Sequence, residues 1–305
     1  IYIIEMSYNI QNLDERLRNY VETNNLELVT KTYFDSESAK YFDIQTGVTH
    51  GLTVPIVNYD TTVVLQDGSA CQFNAQGSET FTQRQLVGQA IAVNKEFCPK
   101  DLAASFAHAQ TKANALGQGE TLPFEAEIIT SNIKEINRKT GRLMWEGKKT
   151  SGDLIDGIIT IANTDGNVVQ VSKGEKNVYE RCQDLYMAWD NTIGLKPIIW
   201  MSLNNFKALI KILVDSNMYH VFEKQDETYS IMLPGFDVEI KGLSDITGDT
   251  IIMTPKENLV YGVDGENDSE VVDLFWDKAD RNFKFVVEYV IAVNYRISEY
   301  VYINK

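Results

Sequence analysis

The chain has 305 residues, 44% of them hydrophobic, enough to bury one large core or two ordinary ones and to exclude disorder as its general state. Its 28 basic residues against 43 acidic ones leave a formal charge of −15, which excludes wholesale wrapping of a nucleic-acid backbone; an acidic chain meets DNA at a few local sites or by enclosing it. Three cysteines, Cys71, Cys98 and Cys182, are an odd number without C-x-x-C spacing, which argues against a disulfide framework or a zinc cluster and for a reducing compartment.

Ile1–Ile4 is apolar but too short for a signal-peptide core, and no later run approaches the length a bilayer needs. Met6-Ser7 reads as a start, which leaves the origin of Ile1–Glu5 open. From Gln11 to Val29, Leu13, Leu17, Tyr20, Val21 and Leu26 recur at mainly helical spacing among charges, which predicts an amphipathic helix that frays into a polar arm. Residues 31–56 carry aromatics, Gly47, Gly51 and Pro55 without clear periodicity and read as an extended connection.

Thr61–Phe73 carries a hairpin signal: Thr-Thr-Val-Val-Leu, the pair Asp67-Gly68 suited to a primed turn, then Ser-Ala-Cys-Gln-Phe. After a polar connection, Phe81–Val93 fits a returning strand. Residues 57–94 thus form a long two-stranded excursion, and such a ribbon, marginal alone in water, is expected to lie on another surface. An Ala-rich helix is expected over Leu102–Leu116. Thr121–Arg138 is the best helix, with Leu122, Ala126, Ile129, Ile133 and Ile136 at spacings of four and three, Lys134, Arg138 and Lys139 near its end and Gly141 just beyond. Its single apolar stripe requires a sheet or helix alongside.

From Asp153 to about Pro255 the pattern is mixed α/β, with helices at 153–161, 175–193 and 203–215 and strands at Pro197–Met201, Tyr229–Met232, Val238–Gly242 and Thr250–Thr254. Phe283, Phe285, Val287, Tyr289, Ile291 and Val293 then alternate along a strand that can pack on the 121–138 helix, which makes the middle segment an insertion between two halves of one domain.

No pattern demands chemistry. His50, His108 and His220 are isolated and fit no metal-ligand spacing. Gly141–Thr150 resembles a phosphate loop, but it has five residues between the glycines, Lys149 where Ser or Thr belongs, and a helix before it; a helix stop and basic turn fits better. Asp264, Glu266, Asp268 and Glu270 lack the EF-hand alternation and read as a solvated turn. Asn267-Asp268-Ser269 fits a glycosylation sequon that a cytosolic protein would not use. No G-x-S-x-G elbow is present. Trp145, Trp189, Trp200 and Trp276 read as core or interface anchors. No catalytic, cofactor or metal residue is assigned.

The order of parts, together with Val63-Val-Leu-Gln-Asp-Gly-Ser-Ala-Cys-Gln-Phe-Asn, Asn94-Lys-Glu-Phe-Cys-Pro-Lys-Asp-Leu, Asn258-Leu-Val-Tyr-Gly-Val-Asp and Phe275-Trp-Asp-Lys-Ala-Asp-Arg, resembles the major capsid proteins of tailed bacteriophages, those of phages infecting gut Bacteroidetes in particular, over most of residues 7–303. Encapsulins share that fold. The resemblance implies an α+β chain divided into an N-terminal helix and arm (1–56), an extended loop (57–94), a peripheral domain with a long spine helix (95–151 and 257–305) and an axial α/β domain (152–256). It implies a non-enzymatic shell subunit that self-assembles into hexamers and pentamers of an icosahedral capsid around double-stranded DNA, enclosed without sequence-specific binding.

Implied partners are copies of the chain, a portal, and scaffolding or decoration proteins, with no membrane. The implied location is the virion, and the host cytoplasm during assembly. An arm starting almost at Met6 implies scaffolding that is separate or not retained. No lysine or asparagine matches the crosslinking pair some such phages use, so no covalent bond is expected. Candidate inter-subunit contacts are Leu13, Leu17, Val63, Leu65, Asp67, Gly68, Phe73 and Phe81; Ile129, Ile133 and Ile136 are the candidate packing positions of the spine helix. The alternatives are an encapsulin-like compartment and a phage tail or adaptor protein; a carboxylate-based hydrolase is more distant.

Overall fold

A computed structural model of the chain describes residues 28, 31–33, 35–65, 76–98, 124–218, 223–225, 228–264 and 271–305. In order the elements are β1 (Asp43–Gln45), β2 (Thr53–Val63), β3 (Gly77–Val87), β4 (Gln89–Phe97), α1 (Phe124–Glu146), α2 (Ile158–Thr164), β5 (Val169–Val171), α3 (Val178–Ala188), β6 (Ile198–Ser202), α4 (Leu203–Asp215), β7 (Glu223–Gln225), β8 (Thr228–Met232), β9 (Glu239–Leu243), β10 (Ile251–Thr254), β11 (Leu259–Val263), β12 (Val271–Asp277), β13 (Asn282–Tyr295) and β14 (Tyr302–Asn304). Among the described residues they make a five-stranded sheet, a seven-stranded sheet and a two-stranded ribbon.

The five-stranded sheet is organised by β13, whose 14 residues use both edges. One edge pairs antiparallel with β4, from Phe283 opposite Phe97 to Ile291 opposite Gln89. The other pairs with β12 in its first half and β11 in its second, and β1 joins β11 in parallel. Alternation along β13 puts Phe283, Phe285, Val287 and Tyr289 into the same buried cluster as Ile129, Ile133 and Ile136 of α1. Each of these isoleucines removes apolar surface worth about 1.5–3 kcal/mol from water. The Thr140 and Tyr289 hydroxyls meet at 2.8 Å, and Lys95 Nζ donates to Asn132 at 2.6 Å, so polar pairs fix the helix lengthwise on the strands.

α1 does not stop before Gly141 as the sequence suggested but runs through it to Glu146. The glycine is there for close approach: a Cβ at position 141 would lie 2.3 Å from a carboxylate oxygen of Asp245. Read locally, that glycine is a stop signal; in the fold it leaves room for the loop after β9.

The seven-stranded sheet runs β5-β14-β10-β6-β9-β8-β7. Its central strands β14, β10 and β6 are buried on both sides, and alternation sorts them. Trp200, Ile252 and Ile303 turn toward α1 and share a core with the first sheet. Ile199, Met201, Ile251, Met253 and Tyr302 turn toward Cys182 and Leu185 of α3 and Phe206, Leu209 and Leu213 of α4. Asn177 and Glu180 form a reciprocal capping box at the start of α3, and Ser202 caps α4. β14 crosses from the end of β13 into this sheet, opposite Ile251–Met253, although the sequence grouped 257–305 with the peripheral half. Buried Arg181 fixes it by donating to the Asn304 side chain at 2.5 Å.

The helices expected at 153–161 and 175–193 are shorter or displaced: α2 begins at Ile158 and α3 ends at Ala188, with a 3-10 turn at Asn191–Ile193. Glycine at 157 lies too close to Leu143 and Trp145 backbone for any side chain, which moves the helix start to the next residue. The connection at 31–56 contains helical residues 31–33, a 3-10 turn at Ala39–Tyr41, β1 and the start of β2, so it is more regular than its sequence suggested. The expected helices at 11–29 and 102–116 lie largely or wholly outside the described residues.

Ile133→Asp places an unpaired charge at a site 2% exposed, between α1 and β13. It is expected to cost more than about 3 kcal/mol and abolish soluble folding, read as loss of soluble yield and of the cooperative melting transition. An unchanged melting curve would contradict this packing.

Candidate assembly surfaces

The ribbon consists of β2 and β3, paired from Thr53 opposite Val87 to Val63 opposite Gly77. The two-residue turn expected at Asp67-Gly68 would place 69–73 opposite 66–62 and so Gln72 opposite Val63, but Val63 faces Gly77, so that register is overturned. Asp67, Gly68 and Phe73 lie outside the described residues. The strand expected over Phe81–Val93 is two strands broken at Gly88, where a Cβ would sit 2.3 Å from the Thr49 carbonyl oxygen. Beyond that break β4 leaves the ribbon and joins β13.

Cross-strand partners share a face, so register decides what each face carries. One face holds Val54, Ile56, Arg84 and Leu86, and it is the face set against the body. Ile56 and Leu86 pack with Val48, Val260 and Ala292 on the side of the sheet opposite α1. Gly262 makes this contact feasible, since a Cβ there would meet Leu86 at 2.5 Å and Val48 at 2.9 Å. The other face carries Val57, Val63, Phe81 and Val87, exposed by 55%, 74%, 67% and 51%. Leu65, just past β2, is 94% exposed.

A polar clamp holds the ribbon's base. The Arg84 guanidinium lies 4.2 Å from the centre of the Tyr295 ring and donates to Asp165 at 2.8 Å and to the Ser298 hydroxyl. Asp165, just past the end of α2, also accepts from the Tyr295 hydroxyl at 2.8 Å, Ser298 at 2.9 Å and the Asn167 N–H at 3.0 Å. Burial opposes ionisation of Asp165, but donation by Arg84, the Asn167 N–H, Tyr295 and Ser298 outweighs it and holds the carboxyl well below the usual carboxylate range. Burial and the neighbouring carboxylate push the Tyr295 phenol up. Asn294 adds a donation to the Gln85 carbonyl at 2.8 Å.

A second node joins the two sheets. Ser38 donates to Asp245 and accepts from the Trp145 indole at 2.8 Å, while Glu37 accepts from the Ser244 hydroxyl at 2.6 Å. Glu146, at the end of α1, accepts from the Thr247 N–H at 2.7 Å, the Thr247 hydroxyl and the Gly248 N–H. Burial pushes the Asp245 carboxyl up to about 6, against the Ser38 hydrogen bond and with help from nearby Glu37.

The remaining sequence candidates fall as follows. Leu13 and Leu17 lie outside the described residues. Val63, Leu65 and Phe81 are exposed at the far part of the ribbon, and Ile129, Ile133 and Ile136 are buried under α1. His50 Nδ1 accepts from the Ala90 N–H at 3.1 Å, and the 141–150 segment is helix followed by a 3-10 turn. Trp145 and Trp200 meet at 5.7 Å with their rings tilted by 39° inside the shared core, and Trp189 meets Tyr302 at 5.0 Å. Cys98 is exposed and Cys182 is buried, its thiol pushed up to about 12 by desolvation. Among the described residues no three His, Cys, Asp or Glu side chains converge as metal ligands, and no helix is long and apolar enough to cross a membrane. Sequence reasoning missed Arg84, Asp165, Val57 and Val87; the alternation in 53–57 and 83–87 hinted at the three ribbon residues, and nothing local marked Asp165.

A two-stranded ribbon on a five-stranded sheet, a long helix beneath that sheet and a second α/β layer together match known architectures. A structure of the satellite phage P4 procapsid including size determination (Sid) protein matches with a TM-score of 0.62 at 9% identity, over 97% of both chains. The chain has the tailed-phage major capsid protein fold. The capsid of Myoviridae phage XM1 matches with a TM-score of 0.55 at 11% identity over 87% of this chain and 89% of that one. A virus-like particle from Pyrococcus furiosus matches with a TM-score of 0.54 at 11% identity over 96% and 99%. No protein-family profile and no curated protein matches the sequence.

Arg84→Met removes the cation of the clamp and its charged hydrogen bonds, about 1.5–3 kcal/mol of local stability. Limited proteolysis within 53–87 is expected to accelerate roughly tenfold or more, while unchanged cleavage would mean that the clamp does not hold the ribbon. Asp245 has a folded pKa raised above its unfolded one, so its contribution is fully present below about pH 4 and is lost as pH rises through about 6, up to about 3 kcal/mol. Asp245→Asn is expected to flatten that fall in denaturant titrations between pH 4 and 7; parallel wild-type and variant curves would contradict the assignment.

Proposed function

We propose that this chain is the major capsid subunit of a tailed phage, a structural and non-catalytic protein that assembles through copies of itself into hexamers and pentamers of an icosahedral shell around double-stranded DNA. In that reading the five-stranded sheet with α1 is the peripheral domain, the seven-stranded sheet is the axial domain, and the ribbon is the extended loop that reaches a neighbour. Portal and scaffolding or decoration proteins are the further partners, and the virion, with the host cytoplasm during assembly, is the location.

The observation that carries the reading is the ribbon's outer face. Val57, Val63, Phe81 and Val87 stand exposed along one face of a two-stranded element, bordered by Glu79, Gln83 and Gln85, and such an element is poorly able to keep apolar side chains in water. The base of the opposite face is spent on the body. A neighbouring subunit covering these side chains completes the burial, and the clamp at Arg84 fixes the angle at which the ribbon leaves. Val63, Leu65 and Phe81 belong to this contact; Leu13, Leu17, Asp67, Gly68 and Phe73 are proposed to extend it. The fold neighbours favour a phage shell over a tail or adaptor protein.

The double variant Val57→Lys/Phe81→Lys changes only exposed positions and should keep the wild-type melting curve. It is expected to remain as monomers or small capsomers in sedimentation and negative-stain microscopy under conditions where the wild type forms shells. Normal shells from the variant would overturn the ribbon's role.

A further inference from the structure

The exposed side of α1 and the turn after it reverse the sign of the molecule. Residues 134–149 hold six basic residues (Lys134, Arg138, Lys139, Arg142, Lys148 and Lys149) and two acidic ones, in a chain with a net charge of −15. All six basic residues are exposed. Lys134, Arg138 and Arg142 recur every four residues, about 6 Å apart along the axis, so they form one row above the buried isoleucine stripe. Part of the charge is answered locally. Arg138 is gripped by Glu135 at 2.8 and 2.9 Å, and Arg142 lies 3.7 Å from Glu146, whose oxygens are taken by Thr247 and Gly248. Asp153 and Asp156 are turned to the backbone N–H groups of Lys148 and Lys149. Lys134, Lys139, Arg142 and Lys149 remain the projecting cations of the strip.

The composition of the strip points to its partner. Protein contacts have an apolar centre and are poor in lysine, whereas phosphate contacts need cations alone. Among the described residues most large exposed apolar side chains sit on the ribbon or on the second sheet and its helices, Ile44 and Phe275 lie on strands β1 and β12 of the first sheet, and Leu154 borders the strip. The strip also lies on the face of the five-stranded sheet opposite the ribbon's base, because Ile129, Ile133 and Ile136 pack on one side of β13 and Ile56 and Leu86 on the other.

We propose that Lys134, Lys139, Arg142 and Lys149 contact the phosphate backbone of the enclosed duplex DNA, without reading its sequence. The proposal rests on the shell reading for the enclosed duplex, and adds to it that the α1 side is the inward one. The remaining negative charge of the subunit keeps the attraction local and weak for one chain, and many copies in a lattice multiply it.

The test compares wild type with Lys134→Gln/Lys139→Gln/Arg142→Gln/Lys149→Gln, both checked for unchanged melting, in fluorescence anisotropy titrations of a random-sequence duplex across a salt series, with shell formation followed in parallel by microscopy. The expected result is salt-sensitive binding by wild type and a slope of log affinity against log salt reduced by about 3 to 4 in the variant, with shells unaffected. Equal binding by both proteins, or none by wild type at low salt, overturns the proposal. Loss of shells with DNA binding intact also overturns it and makes the strip a subunit contact. Absence of shells from the wild type would count against the shell reading alone, because the duplex titration scores the strip on the free chain.

Discussion

Strand β13 is the constraint on which the other parts depend. Its first half is bonded to β12 and β4 and its second to β11, with β4 reaching as far as Ile291, so both edges are paired over most of its length. From Tyr289 to Val293 it is buried on both faces, α1 covering one and the ribbon's base the other. A strand enclosed this way transmits position: the helix, the ribbon and, through the turn at Ser298–Tyr300 into β14, the second sheet are all referred to one rod. Tyr295 at its end is both a ring beneath Arg84 and a donor to Asp165.

That arrangement explains how the chain can present a ribbon at a defined angle. The apolar contact of Ile56 and Leu86 fixes the ribbon's face, and the Arg84–Asp165 pair fixes its direction. Only one face is used in doing so. The shared core around Trp145 and Trp200 does the corresponding work for the second sheet, with the Ser38–Asp245 and Glu146–Thr247 bonds closing the seam. The two nodes respond to pH in opposite senses: Asp165 stabilises above the ordinary carboxylate range and loses its contribution as pH falls, whereas Asp245 loses its contribution as pH rises through about 6.

Much of this was legible in the sequence where periodicity and burial coincide. The Ile129, Ile133, Ile136 stripe, the alternation of β13 and helix α4 all carry strong local patterns, and the order of elements together with the segments starting at Val63, Asn94, Asn258 and Phe275 suggested the fold. The ribbon's register was not legible, because Asp67-Gly68 is a strong turn signal and nothing local says that Val63 pairs with Gly77. Gly141 was misread as a helix stop because a glycine required by a carboxylate distant in sequence looks the same as one that ends an element, and the strand expected over Phe81–Val93 ran through Gly88 because its close approach to the Thr49 carbonyl is set only by the fold. Arg84 and Asp165, 81 residues apart, carry no joint signal at all. The short strand β14 was absorbed into the tail of β13's domain because three residues are too few for a period.

The central claim is that the ribbon's outer face is a subunit contact in a closed shell, and a reconstruction of assembled particles at side-chain resolution tests it most directly. The account predicts Val57 and Phe81 buried against an adjacent subunit, with the base of the same ribbon still clamped by Arg84 to Asp165 of its own chain. Particles in which those side chains face solvent, or a purified chain that forms no shell at any concentration or salt, would contradict it.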